Sequence, residues 1–144
     1  MSFSEKGIII RRTQESDLRG IFLAVSAAPE FNLNPLTAEN LAEIFTSGNS
    51  VMYSAVRKKH LLGFITGRIT GDKAVIEAAY VKDKFRGIGI GTSLLESFVK
   101  SSKKSGGKSF LIAITGDNQK AITFFSSRGF IHTGGIINLE KKDI

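Results

Sequence analysis

Three glycines at alternate positions stand directly before an amphipathic segment in KFRGIGIGTSLLESFVK, residues 84–100. Glycine weakens an ordinary helix or strand, so Gly87, Gly89 and Gly91 indicate that another group approaches the main chain closely here. Successive main-chain N–H groups in such a turn, backed by a helix N-terminus, form a concave site for an anion. The stretch therefore predicts a turn that binds a pyrophosphate or a similar anion at the start of a helix.

Two familiar glycine-rich phosphate motifs fit this stretch poorly. The dinucleotide fingerprint G-x-G-x-x-G needs its third glycine where this chain has Ile90 or Leu94, depending on the register, and it normally belongs to a first strand–helix unit. A Walker A loop needs G-K-[ST], and no such triplet follows Gly91. Both motifs are therefore set aside.

The composition is that of one ordinary domain. The chain has 144 residues, of which 42% are hydrophobic and 23% charged, so it can bury a core without disulfides or metal. With no cysteine it has no thiolate zinc site, cysteine nucleophile or redox pair, and no metal is predicted. The first residues lack a signal-peptide pattern, and no apolar run is long enough to span a membrane. We expect a soluble, cytoplasmic protein with no membrane partner.

The formal net charge of +7 favours an anionic partner without identifying it. A nucleic-acid binder would cluster its basic residues or expose aromatic side chains along a strand. The basic residues of this chain are instead dispersed along the sequence. We therefore predict no nucleic-acid partner.

The order of predicted elements indicates a mixed α/β fold. A short β-branched run, GIIIRR, precedes a helix whose apolar residues fall at i, i+3, i+4 and i+7, namely Leu18, Ile21, Phe22 and Val25. A second helix has Thr37 as its N-cap. Three strands follow, SVMYSAV, LLGFITGRIT and KAVIEAAYV. Short turns at RKKH and GD join them, so we expect them to pair as antiparallel neighbours.

The second half of the chain predicts a strand–helix–strand arrangement. After the glycines, one helical face carries Ile90, Leu94, Leu95, Phe98 and Val99. The unbroken apolar run KSFLIAI is typical of a parallel strand covered on both faces. A helix over DNQKAITFFSSRGF, capped by Asp117 or Asn118 and ended by Gly129, precedes a last strand in GGIINLEKKD. The predicted sheet is antiparallel first and then mixed, with helices on both faces.

These residues resemble the GNAT family of N-acetyltransferases. VKDKFRGIGIGTSLL matches the family signature R/Q-x-x-G-x-G/A, with Arg86, Gly89 and Gly91 at the signature positions. The segment DNQKAITFFSSRGF is similar to the family's N-x-x-A-x-x-F-Y-x-x-x-G-F pattern. With the order of elements, the resemblance covers essentially the whole chain. It implies one GNAT-like domain over residues 1–144, with a mostly antiparallel, twisted sheet of six to seven strands.

The resemblance also implies acetyl-CoA as cosubstrate. The amides of residues 86–91 would take its pyrophosphate, and main-chain groups of residues 79–81 would pair with the pantetheine arm as a strand would. The implied binding residues are Ala79, Tyr80, Val81, Arg86, Gly87, Ile88, Gly89, Ile90, Gly91, Thr92, Asn118, Ala121, Phe124 and Phe125. Lys82 and Lys84 either meet phosphates or belong to a solvated loop.

Acetyl transfer to an amine needs a base, because a primary amine is mostly protonated at neutral pH. Glu77 is the candidate, since it is the only charged residue within AVIEAAYV. The alternative is a structural carboxylate that pairs with an arginine such as Arg68. We name Glu77 as the candidate base and keep this alternative open.

The acid that protonates the leaving thiolate is a separate question. The family's usual tyrosine is replaced by Phe125, so this chain lacks the expected acid. Tyr80 is one candidate, and water is the other, which we prefer. In a regular strand Glu77 and Tyr80 point to opposite faces, so both can serve one site only if a bulge intervenes.

We predict an acetyl-CoA-dependent N-acetyltransferase that acts by direct transfer to a primary amine. The acceptor is a small amine, a peptide N-terminus or a lysine side chain, and the family sets it through the loops AAPEFNLNP and HTGGIIN. Glu30, Phe31 and Leu33 of the first loop would suit an amine with an apolar body. The alternative is a non-catalytic acyl-CoA-binding or regulatory module of the same fold. A monomer and a homodimer are both compatible with the sequence.

Overall fold

A computed structural model of the chain describes residues 3, 5–27, 37–113, 119–132 and 138–142. Within these ranges the helices are α1 (Leu18–Ala27), α2 (Ala38–Thr46), α3 (Ile90–Lys104) and α4 (Gln119–Ser126). The strands are β1 (Ile9–Arg12), β2 (Ser50–Arg57), β3 (His60–Thr70), β4 (Lys73–Val81), β5 (Ser109–Ala113), β6 (Ile131–His132) and β7 (Asn138–Lys142). The predicted leading strand, both early helices and the meander are thereby confirmed.

One sheet contains all seven described strands, in the order β1-β2-β3-β4-β5-β7-β6. Strands β4 and β5 are parallel, and the other neighbouring pairs are antiparallel. This confirms a mixed, mostly antiparallel sheet of six to seven strands. It also confirms the parallel strand predicted from KSFLIAI, which is β5.

Short hairpins connect the central strands, as predicted. The turn between β2 and β3 consists of Lys58 and Lys59, whose φ angles of 48° and 69° are both positive. Gly71, with φ of 63°, turns β3 into β4. Two-residue turns with positive φ follow the right-handed twist of the strands, which fixes the pairing register of the meander.

Helices cover both faces of the sheet and divide the core into two layers. One layer contains Phe98 of α3, Phe125 of α4 and Phe110 of β5, together with Ile76 of β4. The other layer lies under α1 and α2 and contains mainly aliphatic residues with one ring, namely Ile21, Val25, Leu41, Ile44, Met52, Val56, Leu61, Phe64 and Ala78. Strand β4 therefore contributes side chains to both layers.

The predicted helix ends are confirmed where the structure describes them. Thr37 caps α2, since its Oγ1 accepts a hydrogen bond from the Asn40 N–H at 3.0 Å. Gly129, with φ of 93°, follows α4 as the predicted left-handed stop. The predicted cap at Asp117 or Asn118 lies outside the described residues.

An ion pair ties β1 to the turn before α1. Arg11 donates two hydrogen bonds to the Asp17 carboxylate, from Nη1 at 2.6 Å and from Nη2 at 3.1 Å. The Gln14 N–H donates a third at 2.8 Å. Burial opposes ionisation of Asp17, but these bonds and the Arg11 charge outweigh it and hold the pKa of Asp17 below 3.8.

Candidate active site

Strand β4 is paired on both edges only in its first half. It pairs with β5 from Lys73 to Ile76, and beyond Ile76 it pairs with β3 alone. Among the described residues, the β5 side of β4 is therefore a sheet edge beyond Ile76. Such an open edge can accept an extended ligand as an added strand.

A bulge marks the point where this second half begins. Thr66 lies opposite Ala78 and Gly67 lies opposite Ile76, so Glu77 is the extra residue of β4. A bulge reverses which face the following side chains occupy. Before it, Ile76 packs toward α3, whereas after it Ala78 and Tyr80 pack toward α1 and α2. The bulge required for Glu77 and Tyr80 to serve one site is thus present.

The glycine turn joins the open half of β4 to α3. Gly87 and Gly89 have φ angles of 80° and 95°, which only glycine adopts readily. Gly89 is the N-cap of α3, and the helix starts at Ile90. The first N–H groups of a helix have no partners within the helix, so the turn presents them toward the end of β4.

Gly91 is a glycine for a different reason, which is the lack of space for a side chain. A Cβ atom at this position would lie 3.2 Å from Cε1 of Phe124, in α4. The third glycine therefore allows the start of α3 to pack closely against α4. The alternating glycines serve two purposes, left-handed backbone at two positions and close helix packing at the third.

A cavity of about 390 Å³ lies between the glycine turn, the open edge of β4 and α4. Its walls include twelve of the predicted binding residues, namely Ala79, Tyr80, Val81, Arg86, Gly87, Gly89, Ile90, Gly91, Thr92, Ala121, Phe124 and Phe125. Ala79 and Val81 pack with the α3 layer, and Phe64 and Tyr80 with the α1 and α2 layer. The cavity therefore reaches side chains from both faces of the sheet at the open edge.

Some predicted residues are placed elsewhere. The side chain of Ile88 is 38% exposed and, like Glu77, is not among the residues that line the cavity. Lys82 and Lys84 are exposed and also lie outside the lining, as a solvated loop would. Asn118 lies outside the described residues.

Arg86 closes the turn that leads into the glycines. Its Nε donates to the carbonyl oxygen of Val81 at 2.7 Å, and its guanidinium pairs with Asp83. The guanidinium also lies 5.6 Å from the centre of the Tyr80 ring. Arg86 therefore fixes the end of β4 to the glycine turn as well as lining the cavity.

Phe125 makes the base of the cavity apolar. Its ring is 4% exposed and packs edge-on against Phe124 and Phe130, with ring centres 5.1 and 5.2 Å away. No hydroxyl can be supplied at this position. Tyr80, whose ring centre lies 6.5 Å from that of Phe64, is the tyrosine among the residues that line the cavity.

Sequence reasoning missed Arg128, which spans α4 and the start of α3. Its Nε donates to Oγ1 of Thr92 at 3.2 Å, and Nη1 donates to the carbonyl oxygen of Phe124 at 3.0 Å. The guanidinium lies 3.8 Å from the centre of the Phe124 ring. Lys120, Phe124 and Arg128 follow one another at intervals of four residues, and all three line the cavity. This spacing, typical of one helical face, was the sequence signal that could have indicated Arg128.

Glu77 is held by Arg68 on β3. Arg68 donates from Nε to Oε1 at 2.7 Å and from Nη2 to Oε2 at 3.0 Å. The side chain of Glu77 is 15% exposed and that of Arg68 is 39% exposed. The pairing considered as an alternative from the sequence is therefore present, and it stands directly at the bulge.

In the described ranges, no group of three or more His, Cys, Asp or Glu side chains could hold a metal ion. No helix in the part of the chain that the structure covers is both long enough and apolar enough to cross a membrane.

The sequence and the fold place this chain in a known protein family. The family described as the Acetyltransferase (GNAT) family matches residues 18–130. The chain belongs to this family, and the predicted family is thereby confirmed.

Individual relatives agree with this assignment. The mouse (Mus musculus) thialysine N-epsilon-acetyltransferase is 29% identical over 102 residues. That match covers 71% of this chain and 60% of the mouse protein, so the chain spans about 60% of the length of this relative.

Solved structures show the same fold. The PaiA N-acetyltransferase of Thermoplasma acidophilum, crystallised with coenzyme A, has a TM-score of 0.82 at 21% identity and covers 99% of both chains. Ard1 of Thermoplasma volcanium has a TM-score of 0.82 at 18% identity, covering 96% of this chain and 99% of its own.

Proposed function

We propose that this protein is an acetyl-CoA-dependent N-acetyltransferase that transfers the acetyl group directly to a primary amine. The observation that carries the proposal is the cavity that joins a glycine turn at the N-terminus of α3 to the open edge of β4. Family membership supports the reaction class. The coenzyme A bound to the T. acidophilum relative supports the cosubstrate.

The residues present fit acetyl-CoA, which supplies an activated thioester when bound. The amides at the glycine turn and the positive end of the α3 dipole would hold the pyrophosphate. The open edge of Ala79–Val81 would pair with the amides of the pantetheine arm, as an added strand does. Apolar side chains of α4 such as Ala121 and Phe124 would cover that arm.

We infer that Glu77 removes the proton from the attacking amine, through water. The bulge reverses the residues that follow it, so Tyr80, a residue of the cavity wall, packs on the α1 and α2 side of the sheet. Gly67 faces Phe98 of α3, so its neighbour Arg68 and the Glu77 that Arg68 holds lie on that same α1 and α2 side. Arg68 holds the carboxylate, and a carboxylate with one bond to each oxygen keeps further lone pairs for a water molecule. Oriented in this way, Glu77 can take up a proton from the acetyl-transfer site.

Water is the proposed source of the proton for the leaving thiolate. Phe125 has no proton to donate, and a thiol with an ordinary pKa near 8.5 does not require a strong acid. Tyr80 is the second candidate because its side chain lines the cavity. The Tyr80→Phe variant distinguishes water from the Tyr80 hydroxyl as the proton source. An unchanged kcat supports water, and a kcat lower by tenfold or more would support the hydroxyl.

The acceptor is proposed to be the primary amine of a small molecule or peptide. The mouse relative is named for the ε-amine of thialysine, so lysine-like amines come first in a test panel. A non-catalytic acyl-CoA-binding module is the second candidate, favoured only by the apolar Phe125 position. A cytoplasmic location and the choice between monomer and homodimer stay predictions.

The first test is a thermal-shift titration with acetyl-CoA, CoA, NADH and ATP. A ligand that binds only the folded state stabilises it by about 2.7 kcal/mol at 100 times Kd. We expect stabilisation by the CoA species alone, and its loss in Gly89→Val, where φ of 95° disfavours a side chain. Gly48→Val is the matched control, because a Cβ there meets no atom within 4 Å.

Release of free thiol then distinguishes the two candidate functions. The chain has no cysteine, so the assay has no background from protein thiols. Amine-dependent release supports the acetyltransferase, and CoA binding without release for any amine supports the binding module. Equal stabilisation by every polyphosphate would contradict both.

A further inference from the structure

We propose that Arg68 is a positioning residue for amine deprotonation, which orients the Glu77 carboxylate at the β4 bulge. This inference rests on the proposed function, because it takes Glu77 as the base. It gives β3 a role in the reaction. From the sequence, β3 was connected to the site only through the possible pairing of Arg68 with Glu77.

The geometry of the pair is that of a clamp. Two parallel hydrogen bonds of 2.7 and 3.0 Å join the guanidinium fork of Arg68 to both oxygens of Glu77. Paired bonds of this kind fix the plane of a carboxylate as well as its position. A lysine could supply the charge but not the fork.

The bulge explains why Glu77 needs a clamp. As the extra residue of β4, it has no direct opposite residue on β3. Its side chain is nevertheless only 15% exposed, so the two hydrogen bonds from Arg68 replace bonds that water would make to an exposed carboxylate. Arg68 therefore fixes the position of a carboxylate that the regular strand pairing does not fix.

A second carboxylate, that of Glu43 in α2, also acts on Arg68. The hydrogen bond and then the charge of Glu77 raise the pKa of Arg68, so the guanidinium stays charged throughout the working range.

The proposal is tested by kcat and the KM for acetyl-CoA of four variants, Arg68→Met, Arg68→Lys, Glu77→Gln and the double variant of Arg68→Met with Glu77→Gln. Arg19→Met, on the exposed face of α1, is the matched control for loss of an arginine. Thermal unfolding of each variant and its stabilisation by CoA identify any variant that fails to fold.

We expect Arg68→Met to remain folded and to bind CoA, because Arg68 does not line the cavity. Its kcat should fall about tenfold at neutral pH with little change in KM for acetyl-CoA, and Arg68→Lys should recover part of the loss. The double variant should be no slower than Glu77→Gln alone, because Arg68 acts through Glu77. Arg19→Met should match the wild type.

A wild-type kcat in a folded Arg68→Met variant would overturn the inference. So would losses that multiply in the double variant, or a Glu77→Gln variant with the wild-type rate, and in each case the N-acetyltransferase itself would stand. A wild-type protein that binds CoA but releases no thiol with any amine would overturn the inference and the proposed function together.

Discussion

Two arginine–carboxylate pairs of nearly the same geometry lie in very different regions of this molecule. Arg11 and Asp17 join β1 to the turn before α1, and Arg68 and Glu77 join β3 to the bulge of β4. The shortest contacts are 2.6 and 2.7 Å, and both carboxylates accept from two guanidinium nitrogens. The geometry of the pair alone does not separate a structural from a functional role.

The surroundings of the two carboxylates distinguish the structural role from the functional one. Asp17 is 7% exposed and accepts a further bond from the Gln14 N–H, which closes the network locally. In the described part of the chain, the hydrogen bonds of the Glu77 side chain go to Arg68 alone. A carboxylate with lone pairs left over, at an irregular point of a strand beside a cavity, is available for chemistry. The following predictions test this contrast, from the largest effect to the smallest.

Gly67→Ala should have the largest effect, because it fills the space beside the bulge. A Cβ at residue 67 would overlap the carbonyl oxygen of Val75 and lie 2.8 Å from the Phe98 ring. Overpacking at such a site typically costs 1–3 kcal/mol or more, and we expect a loss of about 3 kcal/mol in the free energy of unfolding. Chemical denaturation measures it, with Gly48→Ala as a control expected within about 0.5 kcal/mol of the wild type. Equal effects of both changes would show that the bulge region is not tightly packed.

Asp17→Asn should destabilise the protein by about 2 kcal/mol at pH 7, because it removes charged hydrogen bonds from a buried position. Acetyl transfer per folded molecule should be unchanged. Denaturation and the thiol-release assay measure the two quantities on the same sample. A rate loss in fully folded Asp17→Asn would contradict a purely structural role for this pair.

The contribution of Asp17 to the free energy of unfolding should also depend on pH. Its pKa is lowered in the folded state, so its stabilisation is fully present above the unfolded value and is lost as the pH falls through the folded value. The difference in unfolding free energy between wild type and Asp17→Asn should therefore be constant above about pH 5 and shrink toward pH 3. A difference that stays constant down to pH 3 would mean that Asp17 is not ionised in the way described.

The fold could be predicted from the sequence almost entirely, because its signals are local. The polar turns at Lys58 and Gly71, the N-cap Thr37 and the stop at Gly129 each act within a few residues. The unbroken apolar run of β5 indicated burial on both faces and hence the parallel neighbour. Short-range chemistry thus set most of the element boundaries.

The site was less predictable, because much of it depends on long-range register. The glycine turn is local and was found, whereas the bulge at Glu77 follows from how β4 pairs with β3. Arg68 was named only as a possible partner, and Arg128 reaches Thr92 across 36 residues of sequence. The alternation of apolar and polar residues within one strand does not show where its pairing register shifts. The sequence could therefore indicate only that Glu77 and Tyr80 need a bulge between them to face one site.

Arg68→Met should destabilise the protein by only about 1 kcal/mol, because a pair with one partly exposed member is screened by solvent. Compared with Asp17→Asn, Arg68→Met should thus have the smaller effect on stability and the larger effect on the rate of acetyl transfer. Denaturation at pH 7 measures the first quantity. A loss of stability as large as that of Asp17→Asn would indicate that the two pairs share a structural role.

Thr66→Val should have the smallest effect and the opposite sign. The Thr66 hydroxyl is buried opposite Ala78, beside the bulge, and has no hydrogen-bond partner in the described part of the chain. A buried hydroxyl without a partner is costly, and valine has nearly the same shape, so we expect stabilisation by about 0.5 kcal/mol. Denaturation of Thr66→Val checks this, and the wild-type rate should be kept. Destabilisation together with a slower rate would mean instead that the hydroxyl holds a water molecule beside Glu77, which would extend the reacting region from the carboxylate into β3.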